Sequence, residues 1–332
     1  MTPKGSFRGV PPITCPSHAL LEIRNLRIDF GAHRVVDDVS LSLDAGKTYC
    51  LVGESGCGKS VTALSIGRLL TTPPASHPRG QILWEGHDVL TMNPQRLQRI
   101  RGGDVGYVFQ EPGASLNPVM RIGAQIRESL ARHRPQFANE AEIIRLLRLV
   151  GIPAPETRLR AYPHQLSGGM QQRVMIAMGL APQPKLLIAD EPTTALDVTV
   201  QAQIIELLQD LQRQLGMALL LITHNLGLVG DIADRVGVMY AGQIVEEGTA
   251  LDVLQRPRHP YTQALLRSVP ELGRAGRRLE SIPGTVPRPG DWPTGCRFAP
   301  RCPKARSECS VGPIDWNPGS IDHAVRCPHA EA

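Results

Sequence analysis

The stretch "GESGCGKS", Gly53 to Ser60, restricts what this chain can fold into more than any other part of it. It follows the apolar run "KTYCLV" and precedes "VTALSIGRLL", so a buried strand, a glycine-rich turn and a helix succeed one another. The glycines let consecutive backbone N–H groups curl round an anion at the start of the helix. Gly53, Glu54, Ser55, Gly56, Cys57 and Gly58 would form the cradle, Lys59 would reach terminal phosphates, and the Ser60 hydroxyl could ligate magnesium. A thiol at Cys57, next to a cationic side chain and a helix N-terminus, is expected to be reactive.

From Leu20 to about Gly248 short apolar runs alternate with helical patterns, which predicts an α/β fold with a mainly parallel sheet covered by helices. The strands read as "KTYCLVG", "VGYVFQ", "KLLIADEP" and "ALLLITH", each ending in polar residues. Ligands sit at those carboxyl ends in open α/β sheets, so Gly53, Gln110, Asp190, Glu191 and His224 should lie near one another. Between Asn117 and Tyr162 the pattern is helical: "EAEIIRLLRLV" puts Ile143, Leu147 and Val150 on one stripe and stops before Gly151 and Pro153. "RVGVMYAGQIVEEG" reads as two strands about an Ala241-Gly242 turn. After Gln255 the chain turns to Pro, Gly and Arg, with one short helix in "PRHPYTQALLRSV". This tail is expected to be a separate unit, too poor in apolar residues to fold firmly without a staple.

Asp190 ends an apolar strand and suits a magnesium ion, held directly or through water; Glu191 suits taking a proton from an attacking water. "LSGGMQQR", Leu166 to Arg173, adds a second cradle: Ser167 is a helix N-cap, and Gly168 and Gly169 bring N–H groups close to an anion. Together these elements resemble the ATP-binding cassette (ABC) ATPases, over about Leu20 to Val269. The resemblance implies a phosphate-loop NTPase (RecA-like) core of residues 20–255 with an antiparallel β subdomain and an inserted helical subdomain at about 111–165. An N-terminal tail 1–19 and an irregular cysteine-containing extension 256–332 flank it. It also implies that Phe30 stacks on adenine, that Gln110 contacts magnesium and the transmembrane partner, that Asp197 closes the D-loop, and that His224 touches the terminal phosphate. In the family a head-to-tail dimer sandwiches each ATP between the phosphate loop of one chain and the Ser167–Gly169 region of the other.

"QEPGASLNPVM", "HPYTQALL" and "SIPGTVP", followed by the cysteine tail, look like the oligopeptide and dipeptide importer ATPases. The implied partners are a second ATPase subunit, two permease subunits and an extracytoplasmic substrate-binding protein, with the chain on the cytoplasmic face of the cell (inner) membrane. Sibling systems import nickel and other small solutes, and soluble cassette ATPases act in DNA repair or translation. The repair type carries a long coiled-coil insertion between phosphate loop and signature, where only about a hundred residues lie here. The translation type carries two cassettes, and no "NKxD" supports a GTPase. A net charge of +5, mostly from Arg scattered along the chain, gives no focused patch for nucleic acid.

No apolar run approaches the roughly 18 residues that cross a bilayer, and the N-terminus lacks the apolar core of a secretory signal. A reducing compartment is therefore expected, where seven cysteines read as metal ligands, reactive thiols or buried apolar groups before disulfides. Cys296, Cys302, Cys309 and Cys327 are separated by five, six and seventeen residues, unlike the short paired spacing of structural zinc. Four thiolates round a 4Fe–4S core tolerate longer loops, and the family resemblance also implies such a cluster; zinc or unligated thiols are the alternatives. Arg297, Arg301, Arg306 and Arg326 could offset the cluster's negative charge or be solvated.

Overall fold

The computed structural model describes residues 19–194, 196–268, 281–320 and 322–330. Of the tail 1–19, only Ala19 falls among them, and Val269 lies outside. In chain order the strands are β1 (Ala19–Phe30), β2 (His33–Asp44), β3 (Thr48–Val52), β4 (Ala75–Trp84), β5 (His87–Asp88) and β6 (Val105–Val108). They continue as β7 (Leu186–Asp190), β8 (Ala218–Thr223), β9 (Arg235–Tyr240), β10 (Gln243–Thr249), β11 (Asn317–Ser320) and β12 (His323–Val325).

Strands β6, β7, β8, β3 and β9 lie side by side in parallel, the centre of a larger sheet ordered β11-β12-β10-β9-β3-β8-β7-β6. Every residue of β3 and β8 is buried, as expected for strands covered on both faces. The second sheet, β2-β1-β4-β5, is antiparallel. In β1 the alternation turns Leu21, Ile23, Leu26 and Ile28 into a core shared with β3 and leaves Arg24 exposed.

Each regular element between residues 112 and 165 is helical. Asn139 caps the helix Glu140–Leu149 by accepting the Glu142 N–H, and the predicted stripe of Ile143, Leu147 and Val150 is fully buried. No described helix is long and apolar enough to cross a membrane.

The tail does not stand apart as the sequence suggests. β12 pairs antiparallel with β10, matching Glu246 to Val325 and Glu247 to Ala324, and so extends the main sheet. Phe298 packs 5.3 Å, centroid to centroid, from both Tyr240 and Tyr261 in the main core. Arginines supply the rest: Arg297 pairs with Asp37, Arg301 with Glu54 and Arg326 with Asp38. Those three side chains are thus committed to acids of the core, rather than to solvent or to the charge of a cluster. A tail with few aliphatic residues is anchored by one aromatic plug, a strand and desolvated ion pairs.

Below β10, Glu246 is fully buried and accepts the backbone N–H groups of Arg258 and His259 and a hydrogen bond with His323 at 2.7 Å. His259 Nδ1 in turn accepts the Tyr261 N–H at 3.0 Å, starting the helix Pro260–Arg267. Burial pushes the His259 pKa down to about 4, against the opposing pull of Glu246. Unfolded, the ring takes a proton near its ordinary value of 6.5; folded, only near 4. Its neutral form therefore contributes stability that is complete above pH 6.5 and is lost as pH falls toward 4. The shift corresponds to on the order of 3 kcal/mol. His259→Asn keeps a helix-capping acceptor without the titration, and is expected to flatten the fall in thermal midpoint between about pH 7 and pH 5. An unchanged pH profile would assign the acid sensitivity to another group.

Candidate nucleotide site

The phosphate loop joins the carboxyl end of β3 to the helix Lys59–Ile66. Two glycines are enforced by geometry. At Gly53, φ is +153° and a Cβ would lie 2.1 Å from the Met239 carbonyl oxygen; at Gly58, φ is +106° and a Cβ would meet the Met239 and Val35 atoms behind the loop. The loop is thus pressed against the β9 end and the β2 strand, with Ser55 and Gly56 facing outward.

Behind the loop a polar cluster has formed. Lys59 is buried, its Nζ 2.8 Å from the Gly53 carbonyl oxygen, 3.1 Å from that of Glu54 and 3.7 Å from Glu191 Oε1. Ser60 Oγ donates to Asp190 Oδ1 at 3.0 Å, bridging the helix start to the end of β7. Burial raises the Asp190 pKa, with the Ser60 hydrogen bond and Lys59 opposing and Glu191 adding to the rise. A cation at Asp190 would relieve that destabilisation.

Glu191 follows at φ +45° and is buried. Its Oε2 receives Gln110 Nε2 at 3.3 Å and Thr194 Oγ1 at 3.0 Å, and lies 3.2 Å from His224 Nδ1. The His224 contact, then Lys59 and Thr194, hold the carboxyl down at a pKa of about 2 against burial. The same contact raises the His224 pKa. Glu191 is therefore ionised at neutral pH, with Gln110, Thr194 and His224 on Oε2 and only Lys59, 3.7 Å away, at Oε1. His224, which directly follows β8, has a half-exposed side chain.

The structure gathers Lys59, Ser60, Gln110, Asp190, Glu191 and His224 at one place: Gln110 and His224 bond to Glu191, Lys59 forms an ion pair with it at 3.7 Å, and Ser60 bonds to the adjacent Asp190. The other sequence candidates lie outside it. Phe30 is half-buried at the end of β1. Ser167 caps the helix Gly168–Leu180 by accepting the Met170 N–H, and Ser167 and Gly168 are exposed. Asp197, also exposed, caps the helix Val198–Leu215 through the Val200 N–H at 3.0 Å.

One expectation is corrected, and the geometry lends a second no direct support. Cys57 is buried, and burial raises its thiol pKa despite Lys59 Nζ at 3.8 Å, so the reactive thiolate is not formed. Cys296, Cys302, Cys309 and Cys327 do line one cavity, but its volume is about 10 Å³, room for roughly one water molecule. Burial pushes the Cys296 thiol up to about 11 and also raises Cys302 and Cys327. Among the described residues, no group of three or more His, Cys, Asp or Glu side chains is arranged to hold a metal ion.

Sequence reasoning missed three contributors. Thr194 carries only the weak signal of standing three residues beyond Glu191. Tyr261, whose hydroxyl accepts the Glu54 N–H at 2.9 Å, and Arg301, paired with the Glu54 carboxylate, come from far along the chain.

Comparison with known proteins agrees with this geometry. The family model described as "ABC transporter" matches residues 36–194, and that described as "Oligopeptide/dipeptide transporter, C-terminal region" matches residues 245–309. A dipeptide transport ATP-binding protein of Haemophilus influenzae is 51% identical over 88% of this chain and 90% of its own length. An oligopeptide transport ATP-binding protein of Bacillus subtilis is 50% identical over 85% of this chain and 81% of its own. Among solved structures, a dimeric bacterial ABC transporter cassette superposes with a TM-score of 0.61 at 25% identity, over 69% of this chain and 98% of that one.

If Glu191 acts on water, Glu191→Gln keeps its size and one acceptor oxygen for the donors on Oε2 while removing the base and the charge that pairs with Lys59. ATP binding is expected to persist and turnover to fall by roughly 10² or more, measured by phosphate release and equilibrium binding. Hydrolysis near the wild-type rate would show that another residue is the base.

Proposed function

This chain belongs to the ABC transporter family of ATPases, and from that premise we propose that it is the ATP-hydrolysing subunit of a membrane importer that takes up peptides. The observation that carries this reading is the joint presence of a complete hydrolytic cluster and a C-terminal region matched to oligopeptide and dipeptide transporters. The similarity to peptide-transport ATP-binding proteins at about half identity supports the same substrate class.

In this reading residues 20–255 form the nucleotide-binding domain, with the helical subdomain near 111–165, and 256–332 form the peptide-importer extension. The phosphate loop of one chain and the exposed Ser167–Gly169 helix start of a second ATPase subunit sandwich one ATP. Phe30 meets the adenine and Asp197 meets the partner. Lys59 leaves the Gly53 and Glu54 carbonyls for the terminal phosphates, and Glu191, released by Lys59 and His224, accepts the proton of the attacking water. Ser60, with Asp190 and Gln110 beside it, would hold Mg²⁺, which supplies charge neutralisation on the phosphate oxygens. Hydrolysis then weakens the sandwich, and the dimer opens.

Gln110 leads into the helical insertion, and the apolar side chains of Phe109, which precedes it, and of Val119, nine residues on, are exposed, Val119 by 79%. That surface supports docking on a permease pair at the cytoplasmic face of the inner membrane, served by an extracytoplasmic binding protein. Solubilised native membranes are the test: two multi-spanning permeases should co-purify with the tagged chain. Co-purification of ribosomes or DNA instead would overturn the transport reading.

The four tail cysteines are proposed as ligands of a 4Fe–4S cluster, with Zn²⁺ as the alternative. Their convergence on one cavity supports the donor set; uptake would require the cavity to widen and the thiols to ionise. Protein purified anaerobically should be brown with about four irons per chain, and Cys302→Ser should bleach it. Colourless protein with stoichiometric zinc would favour the alternative, and metal-free protein with a protease-resistant tail would dispose of both.

A further inference from the structure

Glu54, the second residue of the phosphate loop, is held on three sides. Its N–H donates to the Tyr261 hydroxyl at 2.9 Å. Its carbonyl oxygen accepts from Lys59 Nζ at 3.1 Å and from the Cys57 N–H at 3.4 Å. Its carboxylate receives both ends of the Arg301 guanidinium, Nη1 to Oε2 at 2.8 Å and Nη2 to Oε1 at 3.0 Å. The two charged residues are 247 positions apart.

Arg301 is itself fixed. Its side chain is only 5% exposed, and it also donates to the Pro283 carbonyl at 2.7 Å, the Ile282 carbonyl at 3.3 Å and the Tyr240 hydroxyl at 3.2 Å. Two stretches outside the hydrolytic motifs therefore reach one loop residue, "HPYTQALL" through Tyr261 and the cysteine-bearing segment through Arg301, and a third, "SIPGTVP", holds Arg301 through the Ile282 and Pro283 carbonyls. A bidentate pair between planar partners fixes orientation as well as distance. Once Lys59 leaves the Glu54 carbonyl for a phosphate, the Cys57 N–H, Tyr261 and Arg301 contacts remain on Glu54, and the last two are the ones that come from outside the loop.

We propose that Arg301 is a positioning residue for the phosphate loop: clamped on Glu54, it holds the loop in its nucleotide-ready shape and makes ATP affinity depend on the seating of the cysteine-bearing tail. This rests on the ATPase reading above. A preorganised loop lowers the ordering that binding must complete, so the effect falls on affinity, while Lys59, Ser60 and Glu191 retain their roles in turnover.

The test is MgATP hydrolysis by the full-length chain as wild type, Glu54→Gln, Arg301→Gln, Arg301→Lys and the double variant E54Q/R301Q. Each single neutral substitution is expected to raise KM for MgATP by about five- to tenfold and leave kcat within about twofold. The double variant should be no worse than the more affected single, because both remove one interaction. Arg301→Lys keeps the charge but loses the fork, and should fall between wild type and Arg301→Gln. If Arg301→Gln fails to fold, Glu54→Gln decides alone, since it leaves the Arg301 contacts to Pro283, Ile282 and Tyr240 in place. An unmoved KM in Glu54→Gln, a loss confined to kcat, or KM effects that multiply in the double variant would each overturn the clamp. A wild-type chain that does not turn over MgATP would instead overturn the ATPase reading on which the clamp rests.

Discussion

A carboxylate buried as deeply as Glu191 has to be matched by donors, and the need to bring them to one point orders the centre of this molecule. Lys59 arrives from the phosphate loop, Gln110 from the end of β6, Thr194 from the turn beyond β7, and His224 from the end of β8. Only a parallel sheet delivers so many strand ends to one edge, and its continuous apolar runs follow from burial on both faces. The same crowding keeps the carboxylate ionised and occupied. In the proposed cycle, the nucleotide has to draw Lys59 away before Glu191 can serve as a base, which ties hydrolysis to correct binding.

Outside that cluster the tail is held by a different kind of interaction. Arg297, Arg301 and Arg326 each reach a core acid, and the aromatic ring of Phe298 fills a niche between Tyr240 and Tyr261. Such pairs are weak stabilisers net of desolvation, but removing one partner leaves an uncompensated charge, so they specify where the tail sits. Arg297 also stacks on Trp292, with its Cζ 3.7 Å from the ring, and Arg326 on Trp316 at 4.7 Å. In the tail, Trp292 and Trp316 thus each give an arginine a ring face.

The strands, the loop and the clustered polar ends were legible because each is local: an apolar run ending in Asp190-Glu191, or glycines spaced at 53, 56 and 58, carries its meaning within ten residues. The helical stripe of Ile143, Leu147 and Val150 was legible for the same reason. The attachment of the tail was not, because a pairing such as Arg301 with Glu54 leaves no periodicity in either segment. Cys57 was misread because proximity in sequence to Lys59 and to a helix start says nothing of burial, and burial dominates its titration. The four tail cysteines were legible as a convergent set, whereas the tightness of their cavity depends on Phe298, Pro260 and His259 packing around it.

The distribution of exposure suits the proposed pairing with a second chain. Within one chain Lys59 and Glu191 are buried, whereas Ser167 and Gly168, at the start of the helix Gly168–Leu180, are exposed, with a single side-chain cap. A helix N-terminus is worth most to an anion when water is excluded, and an exposed one gains that condition only by docking. In the proposed sandwich, ATP supplies the missing charge to both surfaces: its terminal phosphates replace the carbonyls on Lys59 and meet the partner's Ser167–Gly169 amides. Neither surface closes well without it, and both are relieved of it after hydrolysis. The alternation between closed and open dimers then follows from the incompleteness of each chain's own site.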